Sequence, residues 1–424
     1  MNEFSNSSRR LVFVHGPWQL LVATAAVRQA SASASRSGGP TESILVIFPL
    51  DTGPSTPELR EVIERLAGAT WTWDRVVTVD QPLRDLSAEG VAEAIASLRS
   101  RVGASRADEI WLDCLWGGIE KVAAEAFPNA RIMLYEDGLH TFVEHEDHHL
   151  SIGRFLNEPK RTYRAIRARL AQRRFPDRLK RWSLLRRHLD RVGGSYLWTD
   201  QVIPVPAYQR HLPRVRLQAN VLRETIRDGS RVAPLPSVAS EMDRSAEPRA
   251  LVLGQCFSNY GDLPRDEELS CYRETVITLR KAGFSVLWKE HPRTREPFLK
   301  ALASEVEGIV AMPELGPWPV ELFAERLRLS CCAAVSSTSL FSFPLLFGLP
   351  SYTMMTDAIQ ALFRYPNDQM ARFVVASVPP VTRAVSLSKE TQTVTTLGSP
   401  SGLAIPDPDH RDAIDGQPGA RLGV

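Results

Sequence analysis

Two runs of alternating strand and helix signals predict an α/β protein built from two doubly wound, parallel-sheet domains. The first run fills roughly the N-terminal half of the chain, and the second starts near Arg249. A polar, proline-rich stretch lies between them. Acidic, basic and hydroxyl-bearing clusters fall where apolar strands stop, which is where open parallel sheets bind ligands.

In the first run, Leu-Val-Phe-Val-His at 11–15 reads as a strand, and Gly16-Pro17 opens a helix over 18–30, with proline at a favoured first-turn position. Apolar runs at 44–48, 74–79, 109–115 and 131–136 supply four more strands. Segments at 57–66, 91–102 and 119–127 supply the intervening helices. In the second run, strands are expected at 250–256, 285–289, 309–312, 329–335 and 352–354. Helices are expected at 272–282, 297–306, 319–327 and 339–347. The implied organisation is a first Rossmann-like domain at 1–205 with a basic insert at 151–193, a linker at 206–248, and a second Rossmann-like domain at 249–373. From 374 to 424 periodicity fades and Ser, Thr, Pro and Gly accumulate, so a largely disordered tail is expected. Two such domains facing a central cleft are the GT-B-like architecture of many nucleotide-sugar enzymes, an analogy until a site is argued.

Composition sets the bounds. The 424 residues are 43% hydrophobic and 24% charged, as in a soluble globular protein large enough for two full cores. A net charge of +2 provides no global field for nucleic acid. The five cysteines are odd in number and lack Cys-x-x-Cys spacing, which fits reduced thiols better than disulfides or a metal site. Residues 1–10 lack an apolar signal core, and no apolar run approaches the ~20 residues that span a bilayer, so the cytoplasm is the expected location. One patch escapes the overall balance. Residues 154–191 are rich in Arg and Lys against three acids, with Ile166, Leu170, Leu179, Trp182 and Leu185 at roughly helical spacing. A solvated basic insert explains this, as does peripheral attachment to an anionic membrane or a groove for a polyanionic acceptor.

Four short motifs carry the chemistry. Tyr135-Glu136-Asp137-Gly138 ends a buried strand with two carboxylates and a glycine that lets the chain turn. Trp288-Lys289-Glu290-His291-Pro292-Arg293 ends another. There Pro292 fixes the backbone after the histidine, Lys289 and Arg293 suit a phosphate, and His291 suits a leaving group. Ser336-Ser337-Thr338-Ser339 sits between a strand and an apolar helix, as an N-cap or an anion site. Pro319-Val320-Glu321-Leu322 places Glu321 at a helix start, where it would meet the dipole or the hydroxyls of a ribose.

In this order, an acidic pair with glycine, a strand-terminal His-Pro and a Ser-Ser-Thr cluster resemble the motifs of bacterial sialyltransferases. The likeness is to the branch of capsular polysialyltransferases and lipooligosaccharide sialyltransferases. Gly16-Pro17-Trp18-Gln19-Leu20 is similar to that branch's first strand–helix turn, and Pro319-Val320-Glu321-Leu322 to its ribose-contacting segment. The resemblance spans about 11–355. It implies inverting transfer of sialic acid, or a related nonulosonic acid, from a CMP-activated donor to a glycan hydroxyl, in polysaccharide biosynthesis such as capsule formation, without cofactor or metal. It implies Glu136 or Asp137 as the base, Glu136 preferred, and His291 as the group assisting CMP departure. Ser336, Ser337 and Thr338 would hold the phosphate and Glu321 the ribose. Gly16, Lys289 and Pro292 complete the donor-binding set. The sequence departs from the family in the insert, the tail and a His/acid cluster at 144–149 that could bind a metal. A UDP- or GDP-linked donor, an epimerase, or a non-catalytic protein binding polysaccharide or an anionic surface are therefore the alternatives.

Overall fold

The computed structural model describes residues 8–34, 42–48, 56–79, 88–115, 118–142, 188–200, 203, 205, 207–235, 247–260, 263–355, 359–360 and 373–382. The basic run at 154–187 and the His/acid cluster at 144–149 lie outside the described residues.

The first domain holds a seven-stranded sheet: β1 (Arg9–Val14), β2 (Glu42–Ile47), β3 (Arg75–Thr78), β4 (Glu109–Leu112), β5 (Arg131–Tyr135), β6 (Val192–Leu197) and β7 (Arg214–Arg216). The spatial order is β3-β2-β1-β4-β5-β6-β7, parallel throughout. Parallel strands covered on both faces need continuous apolar runs rather than alternation. Leu11, Val12, Phe13 and Val14 in β1 and Ile110, Trp111 and Leu112 in β4 are all buried accordingly. Helices α1 (Pro17–Ala34), α2 (Thr56–Thr70), α3 (Ala88–Val102) and α4 (Gly118–Ala126) connect the strands.

The second domain repeats the plan with β8 (Arg249–Leu253), β9 (Ser285–Lys289), β10 (Ile309–Ala311), β11 (Cys331–Ala334) and β12 (Ser351–Thr353). Their order is β10-β9-β8-β11-β12, again parallel. In each sheet the strand order reverses beside the first strand, between β1 and β4 and between β8 and β11. Those reversals open the crevices where α/β sheets take ligands. The fold is α/β, GT-B-like, with two Rossmann-like domains.

Several expectations need correction. Residues 206–248, read as a linker, contain β7 and a twelve-residue helix, α5 (Ala219–Ser230). Helix α5 buries Leu222, Thr225, Ile226 and Gly229. It packs on α1 and α2 of the first domain and on the Val320–Phe323 turn of the second. A Cβ on Gly229 would meet Leu66 at 3.0 Å, Leu322 at 3.1 Å and Leu21 at 3.3 Å, so this glycine is where α1, α2 and the second domain converge. Arg28 pairs with Asp228 at 2.7 Å, and Arg326 of the second domain donates to the Ser230 carbonyl at 2.9 Å.

The tail does not begin at 374. Val374, Val378 and Val381 are buried, and Pro380 bridges to Thr353 beside β12. Residues 383–424 lie outside the described residues. The expected helix at 319–327 is only the 3₁₀ turn Val320–Phe323, buried on every side and so without the solvent face that sustains an amphipathic helix. The expected helix at 339–347 is the short α8 (Ser339–Ser342) followed by a π turn, Phe343–Phe347. Pro344 has no N–H to give, and Gly348 ends the turn at φ 67°. The intervening helices are α6 (Arg265–Lys281) and α7 (Leu299–Glu305). All five cysteines are free thiols.

Candidate active site

Glu136 and Asp137 follow β5 directly, yet they face different surroundings. Glu136 is fully buried. Its Oε2 accepts from the backbone N–H of Trp198 at 2.8 Å and of Thr199 at 3.1 Å, and its Oε1 accepts the Thr199 hydroxyl at 2.6 Å. Burial pushes its carboxyl up to about 8 against the pull of those three bonds. Both oxygens are engaged with the end of β6, so Glu136 ties the β5 turn to β6.

Asp137 is only half-buried. Its backbone N–H donates to Thr141 Oγ1 at 2.6 Å, which holds the turn from behind. Its Oδ1 accepts from Gln19 Nε2. Burial and the nearby charge of Asp113 push its carboxyl up to about 7, while His15, Gln19 and Arg293 pull the other way. Arg293 belongs to the second domain, so Asp137 stands at the boundary between the two.

Around it lies a polar cluster. His15 follows β1 and Asp113 follows β4, on either side of the first sheet's reversal. His15 Nδ1 lies 3.6 Å from Asp113 Oδ2. Glu120, from α4, is buried beside Asp113, and burial plus that neighbouring charge hold its carboxyl well above the ordinary range. His15, Asp113 and Asp137 offer one ligand atom each within 4.8 Å of one another, as do Asp113, Cys114 and Glu120. Among the described residues these are the groups that could hold a metal ion.

The second domain brings its own cluster to the carboxyl ends of its strands. His291 follows β9, with its Nδ1 accepting the Arg293 backbone N–H at 3.1 Å. That bond places the proton of a neutral ring on Nε2. Burial, helped by the charges of Lys289 and Arg293, pushes His291 down to about 3, so the ring is neutral at pH 7. Asn259 Nδ2 donates to the Arg293 carbonyl at 2.7 Å, and Thr294 Oγ1 to the Gln255 carbonyl at 3.3 Å, which stitches this turn to the loop after β8.

Lys289 does not fit the phosphate contact expected of it. It is buried and donates to the Gly316 carbonyl at 2.9 Å, and burial pulls it down to about 8. Glu321 is buried as well. Its Oε1 accepts Ser339 Oγ at 2.9 Å and Ser342 Oγ at 2.6 Å, which fastens α8 from below. Ser336 is buried, while Ser337 and Thr338 are half-buried at the head of α8.

The two clusters touch. Leu139 N–H donates to Thr338 Oγ1 at 3.2 Å across the domain boundary. Gly138 has φ 59°, a left-handed conformation that favours glycine, and a Cβ there would stand 2.1 Å from Thr338 Oγ1. Gly16, expected among the donor-binding groups, packs against the Gln19 side chain. Gln19, His15, Asp113 and Glu120 were not singled out as site residues in the sequence. His15 and Asp113 follow the same rule as Asp137, polar at the end of a parallel strand. The strand-like runs at 11–15 and 109–115 extend past the strand ends at Val14 and Leu112, which masks the signal.

Two Rossmann-like domains with polar clusters meeting at their strand ends define a fold of GT-B type. The family model "Alpha-2,8-polysialyltransferase (POLYST)" matches residues 10–356. The chain belongs to that family. No curated protein matches it. Among solved structures it is similar to a UDP-GlcNAc 2-epimerase from Neisseria meningitidis bound to UDP-GlcNAc, at 13% identity, covering 91% of this chain and 100% of that one, with a TM-score of 0.47. The epimerase from Methanocaldococcus jannaschii is 8% identical over 92% and 100% of the two chains, TM-score 0.47. The E. coli heptosyltransferase WaaC with ADP-2-deoxy-2-fluoro heptose is 12% identical over 81% and 88%, TM-score 0.34. Among the described residues, no helix is long and apolar enough to cross a membrane.

Proposed function

We propose that this enzyme transfers sialic acid, or a related nonulosonic acid, from a CMP-activated donor to a glycan hydroxyl, with inversion and without a metal. The observation that supports this best is the docking of Gly138 on Thr338. It sets a carboxylate of one domain beside the Thr338 hydroxyl and the Arg293 charge of the other, the arrangement a single displacement uses. In that displacement the acceptor oxygen bonds to the anomeric carbon, the bond to the phosphate oxygen breaks, and the acceptor proton must go to a base.

The base in this reading is Asp137 rather than the preferred Glu136. Glu136 has both oxygens bound to β6, whereas Asp137 is half-buried and poised to titrate near neutrality. His291 acts on the departing CMP as a neutral Nε2–H donor rather than as a cation. Arg293, not Lys289, supplies the positive charge. Ser337 and Thr338 at the head of α8 remain for the phosphate, and Ser336 lines the buried side of that turn. Glu321 holds α8 in place through Ser339 and Ser342. Pro292 keeps His291 and Arg293 on one turn.

The test is release of CMP and transfer of sugar from CMP-sialic acid by the purified protein, beside a thermal-shift comparison of CMP, UMP, UDP and GDP. Transfer together with selective stabilisation by CMP supports the reading. Stabilisation by UDP without any by CMP moves the donor to a UDP-sugar.

A further inference from the structure

We propose that Gln19, braced by His15 and given room by Gly16, is the positioning residue that fixes the Asp137 carboxylate for proton transfer. This rests on the reading of Asp137 as the base. Gln19 Nε2 donates to Asp137 Oδ1 and lies 3.0 Å from His15 Nε2. An amide nitrogen carries two protons, so it can serve both acceptors at once. With Nε2 of His15 accepting, the ring's own proton sits on Nδ1, the nitrogen that faces Asp113 Oδ2 at 3.6 Å. The hydrogen-bonded chain runs from His15 through Gln19 to Asp137 and joins the ends of β1 and β5, with Asp113 facing His15 beyond hydrogen-bond distance.

Gly16 supplies an independent observation. Its φ lies outside the left-handed region, so the backbone does not call for glycine. A Cβ there would come within 2.1 Å of Gln19 Oε1 and 3.2 Å of its Cδ. Glycine is needed because the glutamine side chain folds back over it. Thr141 already fixes the Asp137 backbone, so rotation of the carboxylate is the freedom left for Gln19 to remove. The ionisable groups that bear on this carboxylate are His15, Asp113, Glu120, Tyr135 and Arg293. None of them hydrogen-bonds it among the described residues, so the amide is its one fixed donor.

The test compares Gln19→Ala, Gly16→Ala, the double variant and Asp137→Asn in steady-state transfer from CMP-sialic acid, with a melting temperature for each to establish folding. Gln19→Ala and Gly16→Ala are each expected to lower kcat by about 10- to 100-fold, the cost of an ångström-scale misplacement, at unchanged donor KM. Both shift the acid limb of the pH profile upward, because the donor that favours the carboxylate is lost. The double variant is expected to be no worse than Gln19→Ala, since alanine at 16 then meets no obstacle. A wild-type kcat and an unmoved acid limb in Gln19→Ala, with Asp137→Asn inactive, overturn the positioning role and leave the base in place. An active Asp137→Asn overturns the base assignment and this inference with it. Loss of wild-type transfer on chelation, restored by Mg²⁺ or Mn²⁺, also overturns it, since His15, Asp113 and Asp137 would then hold a cation.

Discussion

Glu136 and Asp137 are adjacent acids whose environments assign them different work. Asp137→Asn is expected to lower kcat by about 10²–10⁴-fold, the range for a lost general base. Because burial and Asp113 raise Asp137 to about 7, transfer should rise with pH along an acid limb near neutrality. Asp113→Asn removes the charge that opposes ionisation, so the limb should move to lower pH, which a kcat/KM profile will show. At His291 the proton sits on Nε2, a position that a glutamine amide can imitate. His291→Gln should therefore keep part of the activity that His291→Ala loses, about 10²–10³-fold for a missing donor to a developing charge. Full turnover in His291→Ala would remove histidine from the mechanism. The sequence showed which residue types gather at these strand ends. It did not separate the two acids, because that depends on Trp198 and Thr199, more than sixty residues away in the chain and brought alongside only by the β5–β6 pairing.

At the scale of elements, the turns after β5 and β6 are one unit held by Glu136. Its carboxyl titrates near 8 in the fold against an ordinary value of about 4.3. Between those values the folded state keeps a proton that the unfolded chain has released. Stability should therefore fall as pH rises across that window, by at most about 1.4 kcal/mol per pH unit from this group. Glu136→Gln is expected to flatten that slope, measured by denaturant unfolding at pH 5, 7 and 9. Gly138→Ala meets both a left-handed backbone and Thr338, so it should slow transfer about 100-fold while the melting temperature moves far less. A wild-type rate in that variant would mean that the Gly138–Thr338 docking is dispensable. Strong apolar runs made most strands legible in the sequence. Strand β6 was not, because Val-Gly-Gly-Ser-Tyr-Leu is half small or polar, and its glycines lie where Arg131 and Met133 of β5 need room. Strand β7, Arg-Val-Arg, is too short and too charged to announce itself.

Over the whole molecule, the proposed donor groups sit on one sheet and the proposed base on the other. A ligand that holds the folded pair stabilises it by mass action. CMP at a hundred times its Kd should add about 2.7 kcal/mol, read as a raised melting temperature that His291→Ala and Asp137→Asn affect differently. The former removes the proposed phosphate contact and should weaken the shift, whereas the latter should leave it intact.

Helix α5 has a practical consequence for dividing the protein. The chain reaches it only after all seven strands of the first sheet, yet Leu222 and Ile226 cover α1 and α2. A fragment ending at 205 would lose β7 together with that cover, expose Leu21 and Leu66, and aggregate. One ending at 235 should stay in solution, with its far side open to receive a separately produced second half. Where the two halves can be parted is set by a helix, not by the proline-rich stretch that first looked like the joint.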